Sequence, residues 1–406
     1  MQTGSRRRWP VRVGATIIVG GSCLLPALAD KSYGPGVTDT QIKIGQTMAY
    51  SGPASAYGTI GRAEAAYFAK VNAEGGVNGR RIELVSLDDG YSPPRTFEQT
   101  RLLVEREEVL LLFSSLGTGP NAAVQKYLNA RGVPQLFIAS TGMKWNDPQK
   151  FPWTMALAPN QKTNIAGQVG YLTRNHPDAR IAVLYENTDF GKDYLNVLKE
   201  LLGDAAGRMI VAEASYETSD PTVDSQIIAL QASSADTFFN FSTSRFAAQA
   251  IRKIHDIGWR PLHFVPSAVA SVATVLKPAG LEKSVGLIAD AYWKDPTDPR
   301  WKQDAAVQDY LAWIKKYYPE GDVDEIQNVF GYSAAQLMVH VLKQCGHELT
   351  RDNVMRQAAH LRQLQLPMLL PGITIDTSPT DYLPIEQTRL IRFDGTRWVP
   401  FDERTP

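Results

Sequence analysis

The chain has 406 residues, of which 44% are hydrophobic and 21% charged, and it carries no formal net charge at pH 7. A chain of this length has room for two domains with sizeable cores, and its composition is that of an ordinary globular protein. The balanced charge argues against a nucleic-acid-binding protein, which would need a strongly basic surface.

Residues 1–29 predict a secretory signal peptide. Three arginines at positions 6–8 precede an apolar stretch, 13–28, that ends in Ala27-Leu28-Ala29, an A-x-A cleavage pattern. The stretch is shorter than the ~20 apolar residues of a membrane-spanning helix. We therefore expect cleavage after Ala29 and export to the periplasm, with the Sec and twin-arginine routes both left open.

Strand and helix patterns then alternate through the first part of the mature chain. Short apolar strands separated by helices are typical of βαβ units in a parallel sheet. The predicted strands cover 42–49, 81–89, 109–115 and 133–140, and the predicted helices cover 59–74, which Gly75-Gly76 stops, 95–107 and 120–130.

The alternation restarts near residue 160, which predicts a second α/β domain of similar design. Its predicted strands cover 180–187, 209–216, 235–242 and 262–268, and its predicted helices cover 161–175, 189–203, 222–232 and 245–257.

The last third of the chain completes both halves. It predicts a strand at 285–290, helices near 300–318, 328–346 and 350–361, and a terminal hairpin that turns on Asp394-Gly395. We expect an α/β protein with two lobes and parallel sheets, in which the chain crosses between lobes about three times. The predicted boundaries are 38–158 plus 287–370 for the first lobe and 159–286 plus 371–402 for the second, with a ligand cleft between them.

Signatures of enzymes and metal sites are missing from the sequence. It has no G-x-S-x-G, H-E-x-x-H, C-x-x-C or P-loop motif, and its six histidines lack ligand spacing. Cys345, the one cysteine of the mature chain, lies in a helical pattern and is interpreted as a half-buried helix residue. We predict neither catalysis nor a metal or other cofactor.

A dinucleotide site is the first alternative for the stretch GTGPNA, residues 117–122, which fits G-x-G-x-x-A between a strand and a helix. Such a site needs an acidic residue at the end of the next strand to hold the ribose. That strand ends in FIAST, without a carboxylate. The stretch therefore does not predict nucleotide binding.

Two neighbouring strands of the first half end in loops rich in hydroxyl groups. Ser114, Ser115 and Thr118 follow one strand, and Ser140 and Thr141 follow the next. Ligands of open α/β sheets bind at this carboxyl edge, and the free N–H groups at a helix start favour an anion. Neither loop contains Lys or Arg, so we predict a site for a single carboxylate rather than a phosphate.

The sequence resembles a known family, the periplasmic solute-binding proteins of ABC importers in the branched-chain amino-acid class. The likeness extends from IKIGQTMAYSGPASAYG, through N-x-x-G-G-V-N-G-R and YENTDFGKDY, to GWRPLHFVPSAVAS. The resemblance implies two Rossmann-like lobes of the type I periplasmic binding fold and a hinge of three crossings. Lobe closure then traps the ligand.

The resemblance also implies roles for individual residues. The loops matching Ser115, Ala139 and Thr141 grip the ligand's α-carboxylate, while Tyr57 and Phe190 line the pocket. Expected partners are the carboxylate ligand and, through the lobe surfaces, an ABC permease and ATPase. The protein is expected to be a monomer.

Two positions depart from the family pattern. Ser267 stands where amino-acid binders have the glutamate that accepts the ligand's ammonium, and Thr243 stands where the family has a tyrosine. A buried ammonium without an acidic partner is costly. The sequence therefore favours an aromatic or otherwise apolar acid that lacks an α-ammonium.

Several alternatives stay open. A branched-chain or other apolar amino acid, an aliphatic acid, an amide or a urea-like solute could be the ligand. A sensor that presents its ligand to a receptor would use the same fold. Whether Trp145, Trp153 or Arg245 reaches the ligand is also open, and Phe137 belongs to the same aromatic group around the loops.

Overall fold

The computed structural model describes residues 1–10 and 31–401. The chain divides into two compact units, Met1–Asp30 and Lys31–Pro406, and the elements below belong to the second. The predicted cleavage site at Ala29 lies outside the described residues. Across the ranges the structure describes, no helix combines the length and the apolar character that a membrane crossing requires.

The first sheet is formed by strands that come early in the chain. In chain order these strands and one short outlying strand, β1, are Ser32–Tyr33 (β1), Gln41–Met48 (β2), Arg81–Asp88 (β3), Leu112–Phe113 (β4), Gln135–Ile138 (β5) and Thr154–Ala156 (β6). In the described chain, β3-β2-β4-β5-β6 form a five-stranded parallel sheet, and β1 lies outside it. The short strands β4, β5 and β6 are fully buried because helices cover both sides of the sheet, whereas the edge strand β3 exposes Arg81 and Glu83.

The second sheet is larger and ends in the predicted hairpin. Its strands and one short outlying strand are Ile181–Glu186 (β7), Ile210–Tyr216 (β8), Thr237–Phe241 (β9), Leu262–Phe264 (β10), Ile288–Ala291 (β11), Glu348–Leu349 (β12), Arg389–Phe393 (β13) and Trp398–Pro400 (β14). In the described chain the sheet order is β14-β13-β11-β10-β9-β7-β8, and β12 pairs with β1. The strands from β7 to β11 are parallel, whereas β13 and β14 are antiparallel.

Helices separate the strands as the hydrophobic pattern predicts. They are Thr59–Ala73 (α1), Pro93–Arg101 (α2), Thr118–Ala130 (α3), Gln161–Asn175 (α4), Asp189–Leu202 (α5), Ala206–Met209 (α6), Asp224–Ala232 (α7), Ser244–Asp256 (α8), Lys277–Ala279 (α9), Ala305–Tyr317 (α10), Ile326–Gln344 (α11) and Arg351–Ala358 (α12). The predicted α/β class with mainly parallel sheets is confirmed.

The late helices return to the first sheet. Core residues of α10, α11 and α12 share one hydrophobic cluster with residues of β2, α1 and β5. We call this sheet with its helices the first lobe, and the seven-stranded sheet with its helices the second lobe. The chain passes between the two cores near residues 158–165, 288–292 and 385–390, which makes three crossings.

Two stretches lie on the other side of the predicted lobe boundaries. Strand β11, assigned by the sequence to the first lobe, pairs with β10 and β13 in the second-lobe sheet. Ile373, Ile375 and Ile385, assigned to the second lobe, pack in the core of the first. The chain adds β11 to the second sheet before it crosses back, and a local apolar pattern does not show which sheet a strand joins.

Candidate functional site

A cavity of about 390 Å³ lies between the carboxyl edges of the two sheets. Its volume is within the range of small-molecule sites. Both lobes contribute to the lining, and most of the lining side chains are apolar or aromatic. The predicted residues that line it are Tyr57, Thr118, Ala139, Ser140, Thr141, Phe190, Thr243 and Ser267. The structure therefore brings most of the predicted site residues together.

The loop after β4 presents Leu116, Gly117 and Thr118 to the cavity. The two serines before them lie behind this surface. The Ser115 hydroxyl accepts a hydrogen bond from the Thr47 amide at 3.1 Å. Ser114 is fully buried and lies beside the Glu64 carboxyl of α1. The Ser115 hydroxyl holds the loop against β2, whereas Thr118 lines the space where a ligand would bind.

The buried side-chain amide of Asn121 fixes the backbone of this loop by hydrogen bonds. Asn121 Nδ2 donates to the carbonyl oxygens of Ser115 and Gly117 at 2.9 and 2.7 Å. Its Oδ1 accepts from Gln135 Nε2 at 2.9 Å. The backbone of the loop is thus fixed by side chains of α3 and β5.

Gly117 has a backbone geometry that other residues rarely adopt. Its φ is 95°, and a Cβ atom built there would lie 2.5 Å from Cε2 of Tyr91. Tyr91 also lines the cavity. The glycine therefore allows the loop and the Tyr91 ring to approach each other.

The loop after β5 carries the second group of hydroxyls. The Ser140 and Thr118 hydroxyls are 2.8 Å apart, which links the two loops. Trp145 Nε1 donates to Ser140 Oγ at 2.9 Å. Trp145 is buried against Ile138 and Ala156 and supports this loop from behind. Thr141 lines the cavity, and its buried hydroxyl lies beside Tyr194 of α5.

Backbone strain marks the start of both loops. Ser114, directly after β4, has φ of 50°, and Phe137, within β5, has φ of 54°. Positive φ is unfavourable for residues with a Cβ and is concentrated at functional sites in proteins. Phe137 is fully buried, so its ring belongs to the core and its backbone shapes the loop.

The second lobe contributes one predicted residue after each of three parallel strands. Phe190 follows β7, Thr243 follows β9 and Ser267 follows β10. The Thr243 hydroxyl donates to the buried carboxyl of Glu186 at 3.1 Å. Phe190 packs edge-on against Tyr194, with ring centroids 5.3 Å apart.

Tyr57 connects the lobes. It precedes α1 in the first lobe, is 7% exposed, and its hydroxyl lies beside Ser244 of the second lobe. Burial raises the pKa of this phenol well above its usual value. Tyr57 is therefore neutral, and it lines the cavity with a phenol that can form hydrogen bonds.

Asp290 is the main site residue that the sequence analysis missed. It is 1% exposed and lines the cavity. Oδ1 accepts a hydrogen bond from the Ser267 amide at 2.8 Å, while Oδ2 has no hydrogen-bond partner among the described residues. Burial raises the pKa of this carboxyl from 3.8 to about 7.

A sequence signal for Asp290 existed. It ends the stretch VGLIAD, and a polar residue at the carboxyl end of a parallel strand is a candidate ligand contact. Aromatic lining residues were missed as well, among them Tyr91, Trp293 and Phe330.

One end of the cavity has additional charged groups. Asp298 is paired with Arg300, with 2.5 Å between Oδ2 and Nη2, and also faces Arg397. Asp295 accepts hydrogen bonds from the amide and hydroxyl of Thr297. Burial raises the pKa of Asp295, and the nearby Asp298 and Asp324 raise it further.

The remaining candidates lie elsewhere. Arg245 donates to the Pro221 carbonyl on an exposed surface, and Trp153 packs beside Gly132. Burial raises the pKa of the Cys345 thiol to about 12. Within residues 1–10 and 31–401, no group of three or more metal-ligating side chains is found.

The comparisons with known proteins agree with this architecture. A family model described as periplasmic binding protein matches residues 41–397. A curated relative, Leu/Ile/Val-binding protein homolog 7 of Brucella abortus, is 23% identical over 246 residues, which are 58% of this chain and 60% of that protein. The match thus spans less than two thirds of that relative's own length.

Solved structures extend the likeness over nearly the whole chain. A branched-chain amino acid ABC transporter protein from Thermus thermophilus with bound valine has a TM-score of 0.81 and 17% identity, over 90% of this chain and 97% of that one. A fatty acid ABC transporter substrate-binding protein from Thermomonospora curvata has a TM-score of 0.76 and 21% identity, over 92% and 95%. The resemblance seen in the sequence motifs is confirmed, and the chain belongs to the periplasmic binding protein family, with the type I fold.

Proposed function

We propose that the protein is the extracytoplasmic solute-binding component of an ABC importer, and that it captures a small carboxylate with a mainly apolar body. The observation that carries this proposal is the composition of the cavity. Three hydroxyl groups, of Thr118, Ser140 and Thr141, lie together at its first-lobe edge, and aromatic and aliphatic side chains form most of the remaining wall.

The hydroxyl edge suits a single carboxylate. Helix α3 begins at Thr118 after Gly117, and within the described residues no side chain caps its first turn. Its free N–H groups and helix dipole favour a negative charge. Hydroxyls from two loops add donors at the same place, so one carboxylate can accept several hydrogen bonds without a basic side chain.

The apolar body is supported by the walls. Tyr57, Tyr91, Phe190, Trp293 and Phe330 supply aromatic surface on several sides of the cavity. Valine, which the T. thermophilus protein holds, and a fatty acid, after which the T. curvata protein is named, are both carboxylates on apolar bodies. An aromatic acid remains our preferred ligand within this class.

Asp290 bears on whether the ligand carries an α-ammonium group. The sequence argued against an ammonium because Ser267 replaces the family's glutamate. In the structure the Asp290 carboxyl accepts a hydrogen bond from the Ser267 amide, so an acidic group lies next to this position. This observation favours the second candidate, an apolar amino acid.

The proposal includes partners and location. The signal peptide predicted at residues 1–29 delivers the mature chain to the periplasm, where the lobes close on the ligand and dock on a permease with its ATPase. The role is binding, without catalysis or a cofactor. Loss of uptake of the identified ligand when the gene is deleted would support import, and unchanged uptake would contradict it.

The direct test is thermal melting of the mature protein with benzoate, 3-phenylpropanoate, 4-methylpentanoate and their methyl esters. A ligand at 100 times its Kd adds about 2.7 kcal/mol to the free energy of unfolding, a shift of several degrees. We expect at least one acid to stabilise the protein and its ester to have no effect. Equal shifts with acid and ester would contradict carboxylate recognition.

A pair of variants locates the binding site. Thr141→Val removes a hydroxyl at the cavity, whereas Thr173→Val removes an exposed hydroxyl that bonds the carbonyl of Val169 in α4. We expect the first variant to weaken binding of the acid about 10-fold or more and the second to leave it unchanged, because a hydrogen bond to a charged group contributes about 1.5–3 kcal/mol. Equal affinity of both variants would place the carboxylate elsewhere.

A further inference from the structure

We propose that two segments, 268–277 of the second lobe and 322–327 of the first lobe, form an interlobe latch that stabilises the closed form before any ligand binds. The latch thereby determines the ratio of closed to open molecules in the ligand-free protein. Both segments also contribute residues to the cavity wall. This inference rests on the lobe closure of the proposed function, but it does not depend on which ligand the cavity takes.

The first-lobe half of the latch is anchored in its own lobe. Its residues lead into α11, which shares the first-lobe core with α1. Asn328 Nδ2 donates to the carbonyl oxygen of Asp322 at 2.8 Å. Glu325 is the N-cap of α11, and its Oε1 accepts a hydrogen bond from the Gln327 amide at 3.0 Å. This half of the latch is therefore held in place without the second lobe.

The second-lobe half is anchored in the same manner. Ser271 is the N-cap of the helical segment Val272–Leu276, and its hydroxyl accepts a hydrogen bond from the Thr274 amide at 3.0 Å. Apolar residues of this segment pack in one cluster with residues of α8 and β13. Trp398 Nε1 donates to the Ala270 carbonyl oxygen at 2.8 Å, which connects the segment to β14. Each half of the latch thus belongs to a different rigid lobe.

The centre of the latch is a hydrogen bond between the two N-cap side chains. The Ser271 hydroxyl donates to Glu325 Oε2 at 2.7 Å, and the two residues are only 1% and 2% exposed. The two oxygens of Glu325 therefore bind donors from different lobes, since Oε1 accepts from the Gln327 amide of the first lobe. A hydrogen bond shielded from water is stronger than one on the surface, so this contact favours the closed form.

Further contacts surround this central hydrogen bond. The Ala273 amide donates to the Asp324 carbonyl oxygen at 3.4 Å, and Lys277 Nζ pairs with the Asp324 carboxylate. Gln327 Nε2 donates to the Ala268 carbonyl oxygen at 3.2 Å. The Lys277 and Asp324 side chains are 46% and 30% exposed, so salt in the buffer should weaken their attraction.

The latch differs from ligand contacts because both partners in each bond belong to the protein. Its bonds require the lobes to be together, so they raise the closed fraction of the ligand-free protein. A ligand that needs the closed form then binds with an affinity that rises in proportion to this fraction. Lys144 of the first lobe and Asp189 of α5 also pair between the lobes, at 2.5 Å, and the latch variants below leave that pair unchanged.

The test measures the distance between the lobes in the ligand-free mature protein by double electron–electron resonance. Spin labels are attached to cysteines introduced at Glu98 of α2 and Asn196 of α5, which are exposed positions in different lobes. Cys345 is buried and stays unlabelled. We expect a population at the lobe separation of this structure. Its ratio to the open population should fall about tenfold in Ser271→Ala and about threefold in Lys277→Gln.

Lys283→Gln is the matched control. Lys283 pairs with Asp256 at 2.7 Å within the second lobe, so its loss should leave the interlobe distance unchanged. The reversal Lys277→Glu should open the protein, and Lys277→Glu/Asp324→Lys should restore the closed fraction. Raising the NaCl concentration from about 0.02 to 0.5 M should open the labelled wild type more than Lys277→Gln.

The variants remain informative if one of them folds poorly. Ser271→Ala also removes a helix cap, and circular dichroism checks its fold. Lys277→Gln keeps every cap of the latch, so its distance distribution decides the question independently.

Three results would overturn the inference. They are a labelled wild type found only in the open form, a distance distribution that neither Ser271→Ala nor Lys277→Gln changes, and an effect of Lys283→Gln as large as that of Lys277→Gln. The last result would mean that net charge, rather than contact between the lobes, shifts the ratio. These distances are measured without ligand, so their failure is distinct from a failure of the melting experiment that tests the proposed function.

Discussion

The two ends of the cavity are built in different ways. At the first-lobe end, hydroxyl groups follow consecutive strands of one sheet, and Thr118 and Ser140 contact each other directly. At the second-lobe end, Ser267 follows β10 and Asp290 lies in β11, and the Ser267 amide donates a hydrogen bond to the Asp290 carboxyl. The first end offers donors and the second an acceptor, so the cavity is polarised along its length.

The two ends also differ in how they satisfy their polar groups when no ligand is bound. Neutral hydroxyls can pair with each other or with water when no ligand is bound. A buried carboxyl with one unfilled oxygen cannot, and it responds by holding its proton. Asp290 therefore makes the free energy of unfolding depend on pH, whereas the hydroxyl groups of the first end do not titrate in this range.

The largest predicted effect follows from this asymmetry. The pKa of Asp290 rises from 3.8 to about 7 on folding, so the folded protein keeps a proton that the unfolded chain releases. This stabilising contribution is complete below the unfolded pKa and is lost as the pH rises through the folded value. Relative to Asp290→Asn, the wild-type free energy of unfolding should fall by about 1.4 kcal/mol per pH unit between about pH 4 and 7, about 4 kcal/mol in all.

Denaturant unfolding of both ligand-free proteins from pH 4 to 8 measures this difference. Other buried carboxyls with raised pKa values, such as Glu64, Glu186 and Glu325, are present in both proteins and cancel. The nearby phenols Tyr194 and Tyr292 stay protonated throughout this range because burial raises their pKa values. If the free energy of unfolding changed with pH in the same way in both proteins, the pKa of Asp290 would be the same in the folded and unfolded states. The two ends of the cavity would then not differ in their response to pH.

Gly117 gives the next prediction, at the hydroxyl end. Gly117→Ala places a Cβ 2.5 Å from the Tyr91 ring at a φ of 95°. We expect a loss of about 1–3 kcal/mol in the free energy of unfolding from backbone strain, and weaker ligand binding because Tyr91 must move. Melting and titration of the variant measure both effects.

Gly119→Ala is the matched control two residues away. A Cβ at Gly119 would meet nothing closer than Pro93 Cγ at 3.9 Å, and the residue lies in the first turn of α3. Alanine is the better helix former, but Pro120 restricts the residue before it, so the free energy of unfolding should change by less than about 1 kcal/mol. Equal losses in both variants would show that the loop tolerates no side chain anywhere, rather than a specific contact with Tyr91.

Local patterns predicted most of the fold and one end of the site. Runs such as VLLLFSS and VPQLFIAS place hydroxyls directly after apolar strands, and this is visible without knowing any distant contact. The predicted helix at 161–175 matches α4 in both bounds. These features depend on residues that are close in the chain, so periodicity and strand ends are sufficient.

The other end could not be predicted in the same way. Asp290 acquires its role only because β11 pairs with β10 and brings its carboxyl to the Ser267 amide. Ser115 shows the opposite case, since its hydroxyl is occupied by the Thr47 amide of a neighbouring strand. Both outcomes depend on which strands pair, and a local apolar pattern carries no information about that choice.

Ser115→Ala gives the smallest predicted effect and separates contact from support at the hydroxyl end. The resemblance assigns the Ser115 loop to carboxylate binding, whereas the structure directs the hydroxyl to Thr47. Loss of this hydrogen bond leaves a buried amide unpaired and should lower the free energy of unfolding by about 1–2 kcal/mol. We expect the affinity for a carboxylate to change less than in Thr141→Val, because Thr118, Ser140 and Thr141, which line the cavity, are unchanged. A larger loss of affinity in Ser115→Ala, at equal stability, would mean that Ser115 turns toward the ligand on binding. The carboxylate would then be held deeper in the loop than Thr118 and Thr141, next to the strained backbone of Ser114.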